Sequence, residues 1–205
     1  MTKDSVIYDY ETLSKNRHRG VILCVAAIRF NEARYLSNDP YTYKELLNLS
    51  NMMKFSVADQ VQSYNRVIDK DTLDWWSNQS SGAKTLLRES DSDVSIREIE
   101  TFFKTLIPNP QDIDRVYTRG NTFDPIFTEG IYSMLKLPEP YNWWSVRDTR
   151  SMIDGLAFGT GIKNSFIVPG LENEFVAHDP NHDIAMDVMR MQWLVRQTLF
   201  EEAAE

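Results

Sequence analysis

The chain has 205 residues, 42% of them hydrophobic and 12% aromatic. That is enough apolar mass for one well-packed domain over residues 1–205, and no Pro/Gly/Ser-rich linker, repeat or low-complexity tract divides it. A formal charge of −8 excludes a protein that coats nucleic acid through bulk electrostatics, since such binders carry basic faces, and a single cysteine, Cys24, excludes an internal disulfide. The N-terminus has no signal-peptide core and no apolar run nears the ~20 residues of a membrane span, so a reducing, cytoplasmic setting without a membrane partner is the expectation.

The first predicted element is a strand through VIYDYE, in which Asp9 and Glu11 alternate with Tyr8 and Tyr10. A period of two puts both carboxylates on one face of a sheet. Adjacent carboxylates rarely stabilise a fold by themselves, and the usual reason for such a pair is a hard cation. With 30 acidic residues in the chain a chance Asp-x-Glu is ordinary, so the weight of the motif depends on partners elsewhere. The nearly continuous apolar run VILCVAAIRF predicts a second strand buried on both faces, with Cys24 as a core thiol, and Met52 to Val57 predicts a third near a sheet edge. Helical spacing follows over Asp71 to Trp76, Gly82 to Arg88 and Ile96 to Leu106. One tryptophan of the Trp75-Trp76 pair is expected to pack inward, and the polar edge at Asn78 and Gln79 to face a ligand.

Val116 to Thr118 returns to strand and runs into Arg119-Gly120-Asn121. Asp124 precedes Pro125 and reads as the cap of a helix through about Leu135, a carboxylate at a strand-to-helix junction where loops commonly carry site residues. As a lone residue it would be an ordinary cap. Further on, Asp179-Pro180 reads as an N-cap followed by proline at the first helical position, with the stripe Ile184, Val188, Met191, Val195, Leu199 continuing at helical spacing. In that frame His178 precedes the cap and Asp183 is the fourth residue inside it, the positions that meet in a hydrophobic staple, so imidazole and carboxylate face a common site. His182 diverges from Asp183 by roughly 100 degrees and points elsewhere. Alone, the segment would be a capping Asp between two surface histidines.

Asp-x-Glu on the first strand, a central Asp, then His-x(4)-Asp on a late helix is an order that resembles the DEDDh group of 3'-5' exonucleases. The similarity is greater to one branch, exonuclease A of T-even bacteriophages and its bacterial relatives, through Trp75-Trp76 with Asn78-Gln79-Ser80, Arg119-Gly120 with Phe123-Asp124, Trp144 with Arg147-Asp148-x-Arg150, and Phe175 before Ala177-His178-Asp179. It spans about residues 4 to 195, with no departure at the five central positions, and is weakest from Leu156 to Asn173. Strands succeeded by helices already make an α/β sandwich. The resemblance sharpens this to a ribonuclease H-like fold with a five-stranded mixed sheet flanked by helices.

The activity that the resemblance implies is hydrolysis of single-stranded nucleic acid from a free 3' end to nucleoside monophosphates, with two Mg2+ or Mn2+ ions. It implies that Asp9 bridges both ions, that Glu11 and Asp183 complete the first ion's ligands, that Asp124 holds the second through water, and that His178 is the general base. An imidazole suits that work because it exchanges protons near neutrality. Two divalent ions would return about four positive charges to the acidic site. Candidate substrate contacts are Trp76, Asn78, Gln79, Arg119, Asn121, Arg147 and Arg150, with Lys163 a further basic residue; each arginine taken alone reads equally as a surface ion pair. Tryptophans at 75–76 and 143–144 could stack bases, though such residues are more often core. Single-stranded DNA stands ahead of RNA through the phage-type likeness, with an RNA-trimming exoribonuclease as the alternative. A catalytically silent binding module is opposed by the presence of all five polar residues. A monomer and a homodimer both remain open, and a phage-encoded enzyme would act in the host cytoplasm.

Overall fold

The computed structural model describes residues 3–202, with side chains described through 197. Five strands, β1 (Asp4–Thr12), β2 (Ile22–Phe30), β3 (Asn51–Lys54), β4 (Ile113–Thr118) and β5 (Val146–Asp148), form one mixed sheet in the order β3-β2-β1-β4-β5. β1 pairs antiparallel with β2 and parallel with β4. Among the described residues seven α-helices accompany them: α1 (Tyr43–Leu49), α2 (Val57–Tyr64), α3 (Lys70–Ser77), α4 (Ile99–Leu106), α5 (Asp124–Leu135), α6 (Thr149–Leu156) and α7 (Pro180–Glu202).

The two faces of β1 explain the layers. Val6, Tyr8 and Tyr10 join one core with Phe102 and Phe103 of α4 and Phe127 and Ile131 of α5. Ile7 joins the opposite core with Ile153 of α6 and Ile184, Val188 and Met191 of α7. As expected of a run with no polar alternation, β2 is buried almost throughout. Of the predicted stripe on α7, Ile184, Val188 and Met191 are buried and Val195 packs partly against them, whereas the Leu199 side chain lies outside the described residues. Among the described residues no helix is long and apolar enough to cross a membrane.

The structure departs from the sequence expectations at several elements. β3 ends at Lys54 and Ser56 caps α2, its side chain accepting from Asp59 N–H, so Val57 is helical. Residues 83–87 form a 3-10 helix and not an α-helix. α1, α2, α6 and β5 carry no counterpart in the periodicity reading. Phe123, not Asp124, takes the N-cap of α5, and Asp124 is its first residue.

One detail of strand pairing positions everything that follows. β4 pairs with β1 only from Asp4 to Ile7, after which it leaves toward Gly120, whose φ of +133° suits a residue without Cβ. The C-terminal half of β1 therefore has no parallel neighbour, and a cleft opens at the carboxyl ends of the parallel strands, where ligands bind in open α/β sheets.

Candidate active site

The cleft measures about 610 Å³, and its lining includes Asp9, Glu11, Trp75, Arg119, Asp124, Arg150, His178, Asp183 and Asp187. Asp9 and Glu11 reach it because they face away from Tyr8 and Tyr10 on β1. Asp183 comes from the first turn of α7, where Asp179 Oδ1 accepts from Asn181 N–H at 3.0 Å and caps the helix. Carboxylate oxygens of Asp9, Glu11 and Asp183 all lie within 4.8 Å of one another. Asp124 approaches from the other side, 2% exposed, with Oδ1 accepting from Tyr10 N–H at 3.2 Å. That amide lies beyond the β1–β4 pairing, so the carboxylate satisfies a donor that the sheet leaves free.

Crowding and burial set the charge state. Burial, and then the charges of Asp124, Glu11 and Asp183, hold the Asp9 carboxyl well above the usual carboxylate range. Glu11 is raised by burial and by Asp183 and Asp124. Burial pushes Asp124 up to about 7 against the Tyr10 amide, and it pushes Asp183, with help from Asp187, up to about 7 against the His178 amide, Arg190 and Arg119. Buried acids gathered in one cleft resist ionisation and are suited to a cation that neutralises them. The donor set of Asp9, Glu11 and Asp183, all oxygen and convergent, fits a hard divalent ion.

His178 sits on the rim in the left-handed region at φ +63°, a conformation in which histidine is among the enriched residues. Its backbone N–H donates to Asp183 Oδ2 at 3.1 Å, tying it to the first turn of α7. Its ring packs at a near right angle against that of Trp75, with centroids 5.0 Å apart. His182 turns away, with Nδ1 2.8 Å from the Tyr43 hydroxyl.

The remaining sequence candidates divide. Arg119 and Arg150 line the cleft. Trp76 does not and must be corrected: it is 1% exposed, and its Nε1 donates to Thr12 O at 2.9 Å, which pins α3 under β1. Its neighbour Trp75, 42% exposed, takes the place beside the acids. Asn78 and Gln79 also lie outside the lining, because their side-chain amides donate to Asp74 O and Trp75 O at the end of their own helix. Arg147 donates to Trp144 O and Val146 O and borders a separate hollow, which Asn121 also lines. Lys163 is exposed and outside the cleft. Sequence reading missed Asp187 and the choice of Trp75. Asp187 follows Asp183 at the one-turn spacing that places both on one helix face, which was the available clue.

The profile of the 3'-5' exoribonuclease Rv2179c-like domain matches residues 4–189. The exodeoxyribonuclease of enterobacteria phage T4 is 29% identical over 215 residues, spanning 97% of this chain and 92% of that protein. Among solved structures, exonuclease I is similar with a TM-score of 0.62 at 16% identity over 96% of this chain and 42% of its own. The zinc-bound complex of E. coli exonuclease I with single-stranded DNA also gives 0.62 at 16% identity, over 98% of this chain and 43% of its own. The chain thus spans about two fifths of exonuclease I, and the shared architecture is the ribonuclease H-like sheet.

Proposed function

Since the chain belongs to the 3'-5' exoribonuclease Rv2179c-like domain family, we propose that it removes nucleoside 5'-monophosphates one at a time from the 3' end of single-stranded DNA, with RNA as the second substrate. The observation that carries this reading is the convergence of Asp9, Glu11 and Asp183 within 4.8 Å, on a cleft that His178 and Asp124 also line. The family description names RNA, whereas the phage relative that covers most of the chain is named for DNA. The likeness to the phage relative over nearly the whole chain supports DNA as the first substrate.

Asp9, Glu11 and Asp183 would hold one divalent ion, Mg2+ or Mn2+, and Asp124 would take part in holding a second. When bound, such ions neutralise the phosphate and acidify a water. His178 stands at the cleft rim, where it can accept the proton of the water that attacks the terminal phosphorus. The bond from phosphorus to the 3' oxygen of the preceding nucleotide breaks, that oxygen takes up a proton, and a mononucleotide leaves with the new hydroxyl on its phosphate. Asp183 orients His178 by accepting its backbone N–H. Trp75 packs against the ring and, being 42% exposed, would offer its indole to the strand end. The single-strand complexes of exonuclease I support a substrate of that form.

The test is a gel assay of matched 5'-labelled and 3'-labelled DNA and RNA strands with Mg2+ or Mn2+. A 5'-labelled strand is expected to shorten as a ladder, a 3'-labelled strand to release labelled mononucleotide at once, and DNA to react faster than RNA. Absence of mononucleotide release with either metal would refute the reading.

A further inference from the structure

Asp187 lies one turn beyond Asp183 on α7 and lines the same cleft, as a further metal ligand would. Its partners point to different work. Oδ1 accepts from Arg119 Nη1 and from Arg190 Nη1, both at 2.6 Å, and Oδ2 accepts from Thr149 Oγ1 at 2.5 Å. The residue is 1% exposed, and its carboxylate is not part of the convergent set. Both oxygens are thus committed to donors, and two guanidinium groups surround one carboxylate. The cluster carries net positive charge directly beside the negative one.

The three donors come from separate elements. Thr149 is the first residue of α6, Arg190 belongs to α7, and Arg119 follows β4. Of the two arginines that bind Asp187, only Arg119 lines the cleft, and its Nη2 is steadied by Asn164 O at 3.2 Å. Arg190 is instead spent on the carbonyls of Phe166 and Ser165. A guanidinium held on one edge by a carboxylate keeps its remaining N–H groups in a fixed plane, the arrangement that recognises phosphate oxygens best.

We propose that Asp187 is a positioning residue that holds Arg119 as a phosphate-binding group on the cleft wall, where it contacts the phosphate of the 3'-terminal nucleotide. This rests on the exonuclease reading above. Asp187 acts through Arg119 and takes no part in metal binding.

The experiment measures steady-state cleavage of a 5'-labelled DNA strand with saturating Mn2+, inhibition by thymidine 5'-monophosphate and by thymidine, and the Mn2+ concentration that gives half-maximal thermal stabilisation. The proteins are wild type, R119A, R119K, D187N and the double variant D187N/R119A. In R119A and D187N the KM for the strand and the Ki of the monophosphate should rise about tenfold or more, as expected when a hydrogen bond to a charged group is lost. kcat should fall by less, the Ki of thymidine should hold, and the Mn2+ midpoint should stay at the wild-type value. R119K should recover part of the loss, and D187N should add little to R119A because it works through the same side chain. A weakened Mn2+ midpoint in D187N would make Asp187 a metal ligand and overturn the proposal. So would R119A and R119K with a wild-type monophosphate-to-nucleoside ratio, a result that stands even if D187N does not fold. An inactive wild type would instead refute the exonuclease reading itself.

Discussion

Burial, and then the charges of Asp124, Glu11 and Asp183, hold the Asp9 carboxyl well above the usual carboxylate range. Removing one charge relieves that repulsion. Asp9→Asn is expected to abolish turnover yet melt, in chelator, at the wild-type temperature or above it. Mn2+ should raise the melting temperature of the wild type and leave the variant nearly unmoved. Near-normal nuclease activity in D9N would sink the site. The two histidines offer a second test at the same scale. His178→Ala should lower turnover by about 100-fold or more, the usual loss for a positioned base. His182→Ala, which loses the Tyr43 hydroxyl and the ring contact with Tyr43 away from the cleft, should stay within a few fold of the wild type. A reversal of these two effects in single-turnover assays would undo the assignment.

Among the elements, α3 does the least conspicuous and most consequential positioning. Trp76 anchors it to the Thr12 carbonyl, one residue past Glu11, and so carries Trp75 to the rim against His178. Trp76→Ala is expected to cost about 3–5 kcal/mol in denaturant unfolding, whereas Trp75→Ala should cost far less and show its effect on the KM of the strand. Equal destabilisation by both would contradict this division of labour. The sequence alone could not assign the roles, because helical spacing fixes the angle between neighbouring residues but not the rotation of the helix against the sheet. Asp9 and Glu11 were legible because a strand offers only two faces. His178 and Asp183 were legible because Asp179-Pro180 fixes where α7 starts. α1 carries a mark that the sequence does show: Thr42 accepts from Glu45 N–H, the first half of a capping box. β5, three residues long, is too short for any periodicity to register.

For the whole molecule, the sheet order places β1 at the centre and the site at the end of that central strand, so the charge state of the site bears on global stability. Asp124 and Asp183 titrate near 7 in the folded chain, against about 3.9 for an unfolded aspartate. Between those values the native state binds more protons than the unfolded state, so stability falls as pH rises. These two groups therefore favour the fold fully only below about pH 4 and cease to do so above about pH 7. Melting temperatures in chelator should decline across pH 5 to 8, more steeply in the wild type than in Asp183→Asn, and saturating Mn2+ should flatten the slope. An equal slope in both proteins would show that the acids are not the source. On the substrate side, a cleft that receives a free 3' terminus should leave a circular single strand intact, and rapid cutting of circular DNA would reveal an endonuclease. The fold class was legible from strand and helix patterns, whereas the five-strand count came through family likeness, since no local pattern marks β5.

The early departure of β4 from β1 has a further consequence. Beyond Ile7 the amide of Tyr10 has the Asp124 carboxylate as its partner in place of a strand carbonyl. Its proton is therefore a built-in reporter. In a nitrogen-15 spectrum the Tyr10 resonance should move as Asp124 changes its protonation or takes up an ion, and its exchange with heavy water should slow once the carboxylate is fixed. Occupancy of the site can then be followed at one backbone position, without substrate and without turnover.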